Sequence, residues 1–290
     1  MSLNSNKFAI FFESLQPWTF PASILSFLLG TALAWKNDGK FLLLNFFLTA
    51  LVILFTHAAG NFVNSFYEAQ NRRFFISPAT RRVTLELSAQ WAIWSYVLAT
   101  AAFGCLAVAS KVELRQEFGL YATGFLASLL HGGGLKNIVL GEVLACGVFG
   151  PLSILFAYIE QVGSTDHQLS YLWIAVYSLP FVLFTEAIFH SQNTRDLNSD
   201  RKAGHRTLAI LVGPQSSCYL HTLLLLFPYV VTGLLASSTS LYFSIPVITI
   251  PFALNLSVAC FEGEHLTLPQ NIVLLDSAFG ILYVISVFLK

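Results

Sequence analysis

The stretch Gln192-Asn193-Thr194-Arg195-Asp196-Leu197-Asn198-Ser199-Asp200-Arg201-Lys202-Ala203-Gly204-His205-Arg206-Thr207 gathers two carboxylates and four cationic side chains. The chain around it is apolar. Of 290 residues, 56% are hydrophobic and 10% charged, and the mean hydropathy is +0.69. A soluble domain carries roughly 25% charged residues, so this composition belongs to an integral membrane protein. A charged island bounded by apolar windows long enough to cross a bilayer therefore decides the fold class. If the helix that ends near His190 continues through the island, Asn193, Asp196 and Asp200 stand at i, i+3 and i+7, on one face. Oxygen ligands on one face, with Arg195, Arg201, Lys202 and Arg206 nearby, suit Mg²⁺ carrying a phosphate group. Charges also collect in any solvated loop between membrane helices, and spacing alone leaves that reading open.

Working outward, apolar windows near 17–35, 41–67, 87–110, 118–131, 138–160, 169–190, 216–237, 239–261 and 271–289 predict nine transmembrane segments. Backbone in lipid must satisfy its own hydrogen bonds, so these segments form an all-α bundle. Neither a soluble domain nor a long linker interrupts them, and residues 1–290 read as a single domain. The short polar start, Met1 to Lys7, lacks a cleavage site after it, and the first apolar span is expected to be retained. Cys105, Cys146, Cys218 and Cys260 all fall in apolar stretches without metal-type spacing and read as packing residues. Fifteen basic and fifteen acidic residues leave no net charge, which argues against a nucleic-acid partner.

The basic residues divide unevenly between the two sides of the predicted bundle. Lys7, Arg72, Arg73, Arg81, Arg82, Lys136, Arg195, Arg201, Lys202 and Arg206 share the side of the island. Lys36, Lys40, Lys111, Arg115 and Lys290 lie opposite, and the imbalance predicts a cytosolic motif side.

A second polar constellation closes the second window on the same side: Thr56-His57-Ala58-Ala59-Gly60-Asn61-Phe62-Val63-Asn64-Ser65-Phe66-Tyr67-Glu68. Asn61, Asn64 and Glu68 repeat the i, i+3, i+7 spacing. Polar side chains at such a helix end face a bundle interior or a water-filled cavity, or serve as interhelical hydrogen-bond glue. The loop His131-Gly132-Gly133-Gly134-Leu135-Lys136 is flexible enough for Lys136 to reach an anion. Arg72, Arg73, Arg81 and Arg82 flank Phe74 to Pro78, where anionic lipid headgroups are an alternative partner. Glu186 and His190 lie within the sixth window, and a carboxyl in an apolar helix needs a partner.

At these residues the chain resembles the UbiA-type membrane prenyltransferases, most closely their animal, menaquinone-forming branch. The likeness is carried by Gln16-Pro17-Trp18-Thr19-Phe20, by His57 through Glu68, by Gly150-Pro151-Leu152, and most strongly by Thr185 through Gly204 into Thr207-Leu208-Ala209-Ile210-Leu211-Val212-Gly213-Pro214. It implies nine transmembrane helices around a central cavity and two acidic motifs that hold Mg²⁺ and a prenyl diphosphate. Asn193, Asp196 and Asp200 match the second motif. In the first, Asn64 and Glu68 occupy its start, Ser65 replaces an acid, and Arg72 stands near the expected last aspartate.

The resemblance implies prenyl transfer, with geranylgeranyl diphosphate as donor and a lipophilic naphthoquinone-type acceptor, giving menaquinone (vitamin K2). On that reading Asp196, Asp200 and Glu68 hold Mg²⁺, while Lys136, Arg201, Lys202 and Arg72 stabilise the departing diphosphate. Asn64 orients a phosphate oxygen or metal-bound water, and Asn61 and Asn193 join Lys136, Arg201, Lys202 and Arg72 as expected cofactor-binding residues. Phe27, Tyr67, Phe149 and Tyr158 are the expected aromatic walls around an allylic cation. The same likeness places the protein in endoplasmic reticulum or Golgi membrane. Because the first motif is thinned, the alternative is a non-catalytic, isoprenoid diphosphate-binding regulatory membrane protein; a transporter is the remaining class.

Overall fold

The computed structural model describes residues 3–71, 78–163 and 169–290. Arg72 and Arg73, and with them the expected end of the first motif, lie outside the described residues. The elements are helices α1 (Leu3–Leu15), α2 (Phe20–Asp38), α3 (Leu43–Asn71), α4 (Pro78–Ala109), α5 (Leu114–Gly132), α6 (Val139–Gly147), α7 (Ser153–Val162), α8 (Tyr171–Arg195), α9 (Leu197–Ala203), α10 (Leu208–Val212), α11 (Pro214–Ser238), α12 (Ile250–Glu262) and α13 (Leu268–Leu289). Among the described residues, eight segments are long and apolar enough to cross a membrane. They match the expected windows except the fourth, whose place is taken by the 19-residue α5, a helix outside that set. Among the described residues the chain is helical, and its one extended pairing is an isolated parallel bridge between Ile138 and Arg206.

Three of the spans are not simple rods. The first includes most of α1, which is absent from the windows, and a 3₁₀ turn at Pro17–Thr19 joins α1 to α2. The fourth breaks at Val148–Leu152, where Pro151 removes a backbone donor and Gly150 leaves helical geometry (φ −91°, ψ −109°). That break separates α6 from α7 and turns Phe149 and Ser153 toward the interior cavity. The seventh begins as 3₁₀ helix over Leu241–Thr249 before α12 continues it.

Lipid gives helices no hydrophobic reason to associate, so close backbone approach at small residues carries the packing. At Gly30 a Cβ would stand 2.3 Å from the Ile154 carbonyl oxygen, which locks α2 against α7. At Gly132 it would meet the Gly60 carbonyl at 2.9 Å, which brings α5 onto α3. The larger core packs Leu29, Ile154, Tyr177, Phe181, Phe184, Phe279 and Tyr283 between α2, α7, α8 and α13. A second cluster joins Phe27, Val52, Ile53, Phe103, Leu106 and Phe156 across α2, α3, α4 and α7. Between the two clusters lies the cavity that holds the polar residues.

Candidate active site

A cavity of about 790 Å³ opens on the side of the two motifs and narrows into the bundle. Its mouth is lined by Asn64 and Glu68 of α3, Lys136 and Asn137 of the loop after α5, Asn193 and Arg195 of α8, and Asp196, Ser199, Asp200 and His205 around α9. The two motifs, far apart in sequence, thus meet at one rim.

The second motif does not ride on one continuous helix. Asp196 caps α8 with φ −93° and ψ 5°, and α9 starts at Leu197. The expected i, i+3, i+7 face is therefore broken at its centre, yet Asn193, Asp196 and Asp200 still border the same cavity. A single rung holds the assembly together: the Arg206 amide donates to the Asn137 carbonyl at 2.8 Å, and the Val139 amide donates to the Arg206 carbonyl at 3.2 Å. That rung ties the glycine loop, and Lys136 with it, to the segment that follows the second motif.

Each carboxylate at the rim faces a cation or an imidazole. Lys136 Nζ donates to Glu68 Oε1 at 2.6 Å. Arg195 makes a two-pronged contact with Asp196, from Nε at 2.9 Å and from a terminal nitrogen at 2.7 Å, the strong planar form of such a pair. His205 Nδ1 lies 3.1 Å from Asp200 Oδ1. Burial pushes the Asp200 carboxyl above its ordinary value, and His205 works in the opposite direction. Asn64 donates to Glu68 at 3.4 Å, while its own Oδ1 is buried without a partner among the described residues. An orphaned amide oxygen beside a carboxylate is a ready ligand for a hard cation or its water.

Several expected residues have different surroundings. The Asn61 amide donates to the Leu15 carbonyl at 2.8 Å and to Thr19 Oγ1 at 2.9 Å, so both its N–H groups anchor the N-terminal segment. Ser65 bonds back to the Ser14 carbonyl at 3.2 Å, consistent with glue between α3 and α1. The Asn193 amide donates to Glu142. Arg201 and Lys202 are exposed on α9 and do not line the cavity. Their helix is only seven residues long, so its outer face turns the two cations to solvent.

Of the expected walls, Phe149 lines the cavity. Phe27 packs instead on Phe46 at 4.7 Å, Tyr67 is exposed, and the Tyr158 hydroxyl donates to Asp38. The apolar depth is built by Val52, Ile53, Leu120, Tyr121, Phe149, Leu152, Phe156 and Phe189.

Two carboxyls in the cavity wall escaped the motif reading. Glu142 of α6 accepts from Asn193 and from the Leu208 backbone amide at 3.3 Å, so it braces both ends of the second motif. It also hydrogen-bonds Glu186 of α8, and Glu186 in turn accepts from Cys146 at 3.5 Å. The other is Asp276 of α13. The signal that could have found both is simple: each is a lone carboxyl in an otherwise apolar membrane helix, where such groups are rare and functional.

Residues 23–277 match the model of the UbiA prenyltransferase family. The chain is 35% identical over 292 residues to UbiA prenyltransferase domain-containing protein 1 of Xenopus tropicalis, covering 98% of this chain and 83% of that protein. The Homo sapiens protein of the same name is 34% identical over 293 residues, with 98% and 84% covered. Among solved structures, a UbiA homolog from Aeropyrum pernix K1 superposes with a TM-score of 0.71 at 13% identity, over 91% of this chain and 97% of that one. A UbiA homolog from Archaeoglobus fulgidus, bound to GPP and Mg²⁺, gives a TM-score of 0.61 at 13% identity, over 97% of this chain and 100% of that one. The bundle, the rim of paired carboxylates and the near full-length likeness agree, and the chain belongs to the UbiA prenyltransferase family as a multi-pass membrane prenyltransferase.

Proposed function

We propose that the protein transfers a geranylgeranyl group from its diphosphate to a naphthoquinone-type acceptor, forming menaquinone in a Mg²⁺-dependent reaction. The observation that carries this reading is the meeting of Glu68, Asp196 and Asp200 at the mouth of a cavity whose depth is apolar and aromatic. Donor chemistry at the rim fits Mg²⁺: carboxylate oxygens, together with the unpartnered Asn64 Oδ1. No set of three carboxylate, histidine or cysteine side chains among the described residues is close enough to cage a metal alone. Mg²⁺ is commonly held by one or two carboxylates plus substrate phosphates, which here divides the carboxylates between Glu68 on one side of the mouth and Asp196 with Asp200 on the other.

Glu68 of α3 and Asp196 and Asp200 of the second motif would hold Mg²⁺ together with the diphosphate, and the ion would supply Lewis-acid neutralisation of the leaving group. Lys136 and Arg195, already fixed at the rim by their carboxylates, stabilise the charge that gathers on the diphosphate as it leaves. Asn64 orients a phosphate oxygen, and Asn193, held by Glu142, keeps the α8 end of the motif in place. Arg201 and Lys202 draw the anion toward the mouth from the exposed face of α9. Arg72 remains a further cation proposed for the same charge.

As the carbon–oxygen bond breaks, both electrons leave with the diphosphate. A ring carbon of the acceptor supplies the pair for the new carbon–carbon bond, and its hydrogen leaves as a proton. Phe149, Phe156, Phe189 and Tyr121 keep water from the allylic cation and present π faces to it. The basic residues gathered on the motif side support cytosolic motif loops, and the likeness to the animal relatives supports residence in endoplasmic reticulum or Golgi membrane.

The test is prenyl transfer by the purified protein in lipid nanodiscs, with geranylgeranyl diphosphate and 2-methyl-1,4-naphthohydroquinone. It is run with and without Mg²⁺ and beside Asp196→Ala. Mg²⁺-dependent menaquinol, detected as menaquinone after oxidation by air on work-up, is expected to form and to disappear in the variant. Tight diphosphate binding without product from any acceptor would establish the regulatory, non-catalytic reading instead.

A further inference from the structure

Asp276 is an ionisable side chain with no role in the rim chemistry. It sits in α13, is 2% exposed, and borders the cavity. Its Oδ1 is buried and has no hydrogen-bond partner among the described residues. The helix around it, Leu268–Leu289, is otherwise nearly continuous apolar sequence. Leaving a carboxyl oxygen unsatisfied at this depth is costly, and such a group in a membrane helix marks a binding function by default.

Its position on the helix says where in the cavity the carboxyl stands. Pro269, Val273 and Asp276 border the cavity at i, i+4 and i+7, a single stripe on α13. Gly280 is the next member of that stripe, and its face is filled: a Cβ there would meet Leu25 at 2.6 Å and Phe181 at 2.9 Å. The α13 wall of the cavity therefore ends one turn below Asp276, while Val52 and Ile53 of α3 and Phe156 of α7 also line the cavity. At 1.5 Å of rise per residue, Asp276 lies about 10 Å farther into the bundle than Pro269. It is a polar group at the inner end of this wall, away from the carboxylates at the mouth.

Resting on the function proposed above, the reactants differ in what they bring to such a place. The prenyl tail is hydrocarbon and leaves the carboxyl unsatisfied. The diphosphate is anionic and belongs with the cations at the rim. The acceptor alone carries polar atoms at a distance from the diphosphate. A carboxyl offers an acceptor oxygen in either protonation state, so its natural partner is an O–H donor. A ring that attacks an allylic cation must be electron-rich, and ring hydroxyls make it so. We propose that Asp276 receives the hydrogen bond of a ring hydroxyl, so that the cavity selects a hydroxyl-bearing, reduced acceptor and fixes its ring beneath the diphosphate.

Two variants and two ligands test the assignment. Binding of 2-methyl-1,4-naphthohydroquinone and of its dimethyl ether is measured by calorimetry under reducing conditions, in nanodiscs, for wild type, Asp276→Leu and Asp276→Asn. Binding of geranylgeranyl diphosphate with Mg²⁺ is measured alongside as the check on fold. Wild type is expected to prefer the hydroquinone by about 10- to 100-fold, the cost of leaving a buried acceptor oxygen unsatisfied beneath the ether. In Asp276→Leu that preference collapses to within a few fold, Asp276→Asn keeps part of it, and diphosphate binding is unchanged in both. Where turnover is seen, the acceptor KM rises while the donor KM stays.

A preference that survives in Asp276→Leu overturns the assignment. So does a parallel loss of diphosphate affinity, which would place the carboxyl in the rim chemistry or in the fold. Because binding is read without turnover, failure of the parent reading is separable. Wild type that binds the hydroquinone through Asp276 but forms no product refutes the transferase reading and leaves this one standing.

Discussion

Gly141→Ala adds one methyl group, and the structure gives its consequence. A Cβ at Gly141 would stand 2.2 Å from the Leu135 carbonyl oxygen, 2.4 Å from its carbon and 2.5 Å from the Lys136 amide nitrogen. The first distance is about 1.2 Å below the 3.4 Å at which ordinary contact begins, and all three atoms are backbone. No side chain can swing aside, so the loop itself must move by about 1 Å or α6 must tilt. Lys136 rides on that loop with its Nζ 2.6 Å from Glu68 Oε1, and the same shift carries it out of position. A misplacement of 1 Å in a catalytic constellation costs about 100-fold in rate, and overpacking costs about 1–3 kcal/mol of stability. The assay is kcat/KM for prenyl transfer in nanodiscs, with the unfolding midpoint measured in the same preparation. Gly147→Ala is the control, since nothing lies within 4 Å of the Cβ it would add. Gly141→Ala should add little in a Lys136→Met background, because both changes remove the same contact. A folded Gly141→Ala enzyme with wild-type kcat/KM would refute the argument that the loop positions Lys136.

The other predictions follow from neighbouring contacts. Asp196→Ala and Asp200→Ala should each abolish prenyl transfer without loss of folded protein, checked by product analysis and size-exclusion chromatography; normal turnover in both would remove the proposed site. Glu142→Leu strips the acceptor from Asn193 and from the Leu208 amide; thermal unfolding should register a loss of about 1–3 kcal/mol. Arg195→Gln should lower kcat by more than tenfold, since it removes the planar pair with Asp196. The double change Arg201→Gln, Lys202→Gln should instead raise the donor KM in a salt-dependent way, because those cations are exposed; steady-state kinetics at two ionic strengths distinguish the cases. Gly30→Ala should lower the unfolding midpoint through its clash with the Ile154 carbonyl, with a cost near 1–3 kcal/mol.

Membrane residence, helical class, most of the spans and the two acidic motifs were legible in the chain alone. Bilayer thickness and the backbone's need for internal hydrogen bonds act locally, so a window of apolar residues reports them without knowledge of any neighbour. The polar patterns are likewise local, because Asp196, Asp200 and Glu68 sit beside recognisable flanking residues, and all three border one cavity. What depended on the tertiary structure is which atoms those groups face. Spacing put Asn193, Asp196 and Asp200 on one helical face, yet Asp196 ends α8 and Asn193 is held by Glu142, a residue 51 positions away. Asn61 repeats the motif spacing, but its N–H groups are spent on Leu15 and Thr19. The aromatic walls were the least legible, because 27 phenylalanines are distributed through the chain and the helix rotation that turns one toward the cavity is set by packing. Gly30, Gly132 and Gly280 set how closely the helices approach, and at Gly280 that approach ends the α13 wall of the cavity below Asp276. Hydrophobicity and motif spacing are properties of a segment, whereas partner identity and cavity shape are properties of several segments together, and only folding brings those together.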